Sequence, residues 1–109
     1  MKLWIDDVRP APDGYIHLHN TDEALRFIRE NYSNISIISL DHDAGDYTIY
    51  GGDYINVLNE LERLAHGATW GELYQNAFAN YSFILHTANP VGAANMRRII
   101  ERNGWREVK

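Results

Sequence analysis

The sequence predicts an α/β fold: a small, mostly parallel five-stranded sheet with helices on both faces, in a single domain over residues 1–109. Two observations predict it. Short β-branched runs alternate with segments of helical period. Three of those runs also stop at polar residues suited to chemistry: Lys2-Leu3-Trp4-Ile5 at Asp6-Asp7, Ile35-Ser36-Ile37-Ile38-Ser39-Leu40 at Asp41-His42-Asp43, and Phe83-Ile84-Leu85 at His86-Thr87-Ala88-Asn89-Pro90. Parallel strands put such ends on one edge, where open α/β sheets bind ligands.

Residues 2–6 read as a buried strand. Arg9, Pro10, Pro12 and Asp13-Gly14 then make 8–14 a loop. Tyr15 to His19 alternates and reads as a short strand near an edge. The link from 7 to 14 is short for a parallel crossover, so this strand is either antiparallel or reached by an unusually compressed connection. Asn20 or Thr21 caps a helix whose first turn holds Asp22 and Glu23. Its apolar face is Ala24, Leu25, Ile28 and Tyr32, and it ends near Asn31–Asn34. Residues 35–40 are the next buried strand.

Asp41 to Asp53 is a Gly- and Asp-rich loop of about a dozen residues, a length more often functional than accidental. Asp53 is the expected N-cap of a helix reaching about Ala65, and His66-Gly67 ends it. Residues 68–81 have some helical period and fit a short helix or a packed loop. Residues 82–87 form a strand, Asn89 and Pro90 start a helix, Asn103-Gly104 stops it, and 105–108 is a last short strand.

Net charge is −5 and no long basic block occurs, which argues against broad duplex binding through many phosphates. The chain has no cysteine, so disulfides and thiolate sites are excluded. No apolar run approaches the roughly 18 residues of a membrane span. The expectation is a soluble, cytoplasmic protein without a membrane partner.

Asp6, Asp7 and Asp41 are the first candidate site, with Asp43 as a further ligand. Crowded carboxylates repel, so Mg²⁺ or another divalent cation would offset their charge. The plainer role is capping and solvation at strand ends. Asp41-His42-Asp43 is the second. His42 suits general acid–base chemistry or metal ligation, against a plainer role as a turn histidine. The third runs from His86 through Thr87 and Asn89 to Gly92, Asn95 and Arg97. A polar strand end leading into a Pro-initiated helix presents free N–H groups to an anion. Arg9 can clamp a phosphate or pair with a local acid. His17 and His19 lack a third metal ligand, and His66 reads as a helix-end residue.

Ile5-Asp6-Asp7-Val8-Arg9-Pro10, Ser39-Leu40-Asp41-His42-Asp43, and His86-Thr87-Ala88-Asn89-Pro90-Val91-Gly92 with Asn95-Met96 together resemble the cyclic-phosphate processing receiver domains of bacteria and phages. More distantly the layout is similar to the response-regulator receiver domain, a flavodoxin-like fold. That resemblance implies that Asp6 and Asp7 are a metal-binding pair, that Asp41 is at the phosphoacceptor position and that Thr87 is at a hydroxyl position. The chain departs from receivers in three respects. The first helix is missing between residues 7 and 14, no lysine-proline pair follows a fifth strand, and His42 and His86 add acid–base groups.

The expectation is a phosphoesterase or phosphohydrolase acting on a small cyclic phosphate or nucleotide phosphate. Asp6, Asp7, Asp41 and Asp43 would hold the cation, with His42, His86 and Asp41 catalytic. Arg9, Thr87, Asn89, Asn95 and Arg97 would bind substrate. The alternatives are a non-catalytic receiver-like module that binds a phosphorylated ligand or partner, and a phage inhibitor or nucleotide sponge.

Overall fold

The computed structural model describes residues 1–109. Five strands form one sheet: β1 (Lys2–Ile5), β2 (Tyr15–Leu18), β3 (Ile37–Leu40), β4 (Ser82–Leu85) and β5 (Arg106–Glu107). Their order is β2-β1-β3-β4-β5, and every pair is parallel. The open alternative for the second strand therefore resolves to a compressed crossover, and residues 6–14 contain no helix. Lys2 pairs with Tyr15 on one side and Ile37 on the other, so the ends of β1, β2 and β3 are level. This strand order reverses direction after β1, and the reversal makes a crevice outside the ends of β1 and β3.

Four helices follow: α1 (Thr21–Asn31), α2 (Ile55–Ala65), α3 (Gly71–Phe78) and α4 (Pro90–Arg102). The period over 68–81 is thus a helix of eight residues. The expectation of helices on both faces is corrected: all four share one face. The connections β2→β3, β3→β4 and β4→β5 advance in one direction, and right-handed crossovers then place every helix on the same side. Helix α2 packs against α1, α3 and α4. Leu3, Ile5, Ile38, Leu40 and Phe83 point into the same core as Ala24, Ile28, Leu58, Leu61, Met96 and Ile100. The connection that runs the other way, β1→β2, contains no helix. That face carries Trp4, Ser39, Ile84 and His86 instead.

The caps follow the sequence with one exception. Asn20 Oδ1 accepts from Glu23 N at 2.8 Å and starts α1. Asn89 Oδ1 accepts from Gly92 N at 2.9 Å and starts α4. Asp53 does not cap α2; its Oδ1 accepts from Ala44 N at 3.0 Å and closes the preceding loop, while Tyr54 takes the N-cap position. At the far end Trp105 stacks on Phe83 and meets Phe78 edge-on, which seats β5. No helix is long and apolar enough to cross a membrane.

Glu62 ties α2 to α4. Arg102 Nε and Nη2 donate to its two oxygens at 2.7 Å each, and Asn103 Nδ2 donates at 2.6 Å. The Arg102 hydrogen bonds outweigh the cost of burial and, with Asn103, lower its pKa to about 2. A depressed carboxylate stabilises the fold above its unfolded pKa, and that contribution is lost as pH falls through the folded value. Glu62→Gln should lower stability by up to about 1 kcal/mol at pH 7. Urea midpoints of the two proteins should converge as the pH is lowered from about 4.5 to about 2.

Candidate functional site

β1 delivers Asp6 and Asp7 to the crevice, and β3 delivers Asp41. Their carboxylate oxygens lie within 4.8 Å of one another. Asp6 is fully buried. Its Oδ1 accepts from Val8 N at 2.8 Å and Arg9 N at 3.0 Å, and its Oδ2 lies 3.0 Å from His86 Nε2. Burial opposes its ionisation, but these hydrogen bonds win and hold it below the usual carboxylate range.

Asp7 behaves oppositely. Burial first, and then the charges of Asp6, Asp41 and Asp46, push its carboxyl above the usual range. The compensating cation is Arg9, whose Nη1 is 3.7 Å from Asp6 and 4.0 Å from Asp41 and also donates to the His86 carbonyl at 2.6 Å. Gly45 has a φ of +56° and a backbone so close that a Cβ there would be 2.6 Å from Asp7 Oδ2. Three hard oxygen donors with excess negative charge are the donor set that Mg²⁺ and similar ions take.

The two histidines separate in role. His86 is engaged at both ring nitrogens: Nδ1 is 2.7 Å from Ser39 Oγ and Nε2 faces Asp6. Its ring lies flat on Trp4, with centroids 3.7 Å apart and planes 3° from parallel. Burial lowers the His86 pKa against the pull of Asp6. A neutral ring satisfies both contacts, with Ser39 O–H donating to Nδ1 and Nε2–H donating to Asp6.

His42, by contrast, uses only Nδ1, 2.7 Å from Asp43 Oδ1. That hydrogen bond outweighs burial and holds Asp43 below the usual range. Asn89 Nδ2 also reaches Asp43 Oδ1, at 3.4 Å. His42, Asp43 and Asp53 bring a second group of ligand atoms within 4.8 Å.

The family model for the cyclic-phosphate processing Receiver domain matches residues 1–102. The chain belongs to this family. No curated protein and no solved structure matches it.

Within this receiver-like domain the structure brings Asp6, Asp7, Asp41, Arg9 and His86 together at one edge. His42, Asp43 and Asn89 join beside them through Asp41, whose Oδ1 accepts from His42 N at 2.7 Å. Thr87 Oγ1 accepts from Asn89 N at 3.1 Å and shapes the turn into α4. Two expected ligand-binding residues are engaged elsewhere. Arg97 makes a two-point contact with Glu107 at 2.6 and 2.9 Å, and Asn95 accepts from Arg98. His17 Nε2 bonds the Asp6 carbonyl, His19 stacks on His17, and His66 Nε2 bonds Asn103.

Sequence reasoning missed Ser39 and Trp4, the partners of His86, and Gly92 as the seat of His42. Ser39 carried one usable signal, a polar side chain inside an apolar strand run. At Gly92 a Cβ would be 2.5 Å from His42 Cγ and 2.9 Å from Nδ1. Gly92→Ala should therefore force the His42 ring aside and cost about 1–3 kcal/mol, measured by urea unfolding.

Proposed function

We propose that this receiver-like domain is a divalent-cation-dependent phosphohydrolase acting on a cyclic phosphate or nucleotide phosphate. The observation that carries the reading is the convergence of Asp6, Asp7 and Asp41 beside a histidine with one unengaged ring nitrogen. When bound, the cation would polarise the phosphoryl group and favour a nucleophilic water. Asp7 and Asp41 would hold it, with Asp6, which also fixes the loop and His86.

With Nδ1–H donating to Asp43, the His42 lone pair lies on Nε2. His42 takes a proton from the attacking water as the new P–O bond forms. The old P–O bond breaks, and the proton passes to the departing ester oxygen. Arg9, whose side chain is 44% exposed, has N–H groups left to bind a phosphate oxygen. The turn of Thr87 and Asn89 borders the same crevice through Asp43. His86 positions Asp6.

Product formation should be measured on a panel of 2′,3′-cyclic and 3′,5′-cyclic nucleotides and cyclic-phosphate RNA ends, with Mg²⁺, Mn²⁺ or EDTA. Turnover that requires the metal is the expected result. Ligand binding without product from any substrate would favour the second reading, a non-catalytic module that holds a phosphorylated ligand. The engagement of His86 at both ring nitrogens is the observation on that side, since it leaves one imidazole for acid–base work.

A further inference from the structure

The excursion from Gly45 to Gly52 carries three large apolar side chains that the core does not use. Its base is closed by Ala44 N on Asp53 Oδ1 and Tyr54 N on the His42 carbonyl. Inside it Tyr47 N donates to Ala44 O, Tyr50 N to Tyr47 O and Gly52 N to Thr48 O. Asp22 N, at the start of α1, donates to Tyr50 O and ties down the far side. The segment is thus well hydrogen-bonded, yet Tyr47 is 39% exposed, Ile49 78% and Tyr50 47%. Apolar side chains clustered in water on an ordered segment do not stabilise the fold, and such clusters mark contact surfaces.

Position decides what is contacted. Gly45, where the excursion begins, abuts Asp7 Oδ2, so the segment rises directly from the acid cluster. The Tyr47 and Tyr50 rings stand 6.2 Å apart between centroids, tilted by 41°. A ligand whose phosphate is held at the acids and whose body extends along this segment would meet these rings. Exposed tyrosine faces receive a flat aromatic base, whatever its identity.

We propose that Tyr47 and Tyr50 form a stacking platform for the base of a nucleotide whose phosphate is held at the acid cluster. The proposal rests on the phosphate reading of that cluster and narrows it to base-bearing substrates.

The test is binding, so turnover is not needed. Adenosine 3′-monophosphate and ribose 5-phosphate are titrated calorimetrically into the full chain in Mg²⁺, for wild type, Tyr47→Ala and Tyr50→Ala. The nucleotide should bind about tenfold or more tightly than the sugar phosphate. Each alanine should bring nucleotide affinity toward that of the sugar phosphate, and Tyr47→Phe and Tyr50→Phe should restore it by restoring the ring. Equal affinity for the two phosphates in wild type overturns the platform alone, leaves the phosphate site standing and turns the exposed rings toward a protein partner. Failure of both phosphates to bind removes the phosphate site and the platform together.

Discussion

Asp6→Ala should destabilise the protein by about 3–5 kcal/mol, a large part of the roughly 5–15 kcal/mol that a domain of this kind has. The fully buried carboxylate receives the Val8 and Arg9 N–H groups and faces His86 Nε2. Alanine leaves all three donors without that acceptor inside the protein, and an orphaned donor costs up to about 1–3 kcal/mol where water does not replace the acceptor. Asp6→Asn keeps one oxygen for the backbone donors and should recover part of the loss. Urea unfolding midpoints of the three proteins measure this. A wild-type midpoint for Asp6→Ala would show that the loop after β1 is held by something else.

His42→Ala should lower kcat by about 10²–10⁴-fold, the range that general acid–base groups supply. His42→Gln, closer in volume, should lose as much, which separates proton transfer from packing against Gly92. Asp43→Asn should lose less, because the ring keeps its seat on Gly92 and an amide oxygen can still accept from Nδ1, so only the partner's charge is lost. Single-turnover rates of the proposed hydrolysis, on whichever cyclic phosphate supports it, measure all three. Full activity in His42→Gln would remove this histidine from the chemistry.

The acid triplet was readable from the sequence because the Asp6-Asp7 pair and Asp41 each close an apolar run, and such runs in an α/β pattern end at the edge where ligands bind. The partners of His86 were not readable, because they depend on register. Trp4 pairs with Ser39, and Ser39 with Ile84. His86 lies two residues past Ile84 on the same face, so its ring meets both Ser39 and Trp4. Nothing in the linear order of residues reveals which strands are neighbours.

The same gap explains the helix layers. Alternation predicted helices but not the strand order, and the order is what sends every crossover to one face. Asn95 and Arg97 fail to converge for a related reason: helical spacing from Pro90 says how far along α4 they stand, while the partner of Arg97 is set by where β5 docks.

The proposed hydrolysis needs a divalent-cation site at Asp6, Asp7 and Asp41. Calorimetric titration of Mg²⁺ and Mn²⁺ into wild type and Asp7→Asn tests it most directly. One ion per chain is expected, bound more weakly as pH falls through the raised range of Asp7. In Asp7→Asn the affinity should fall by at least the roughly 10- to 100-fold that loss of an outer-shell partner costs. No uptake by the wild type, or equal uptake by the variant, would contradict it.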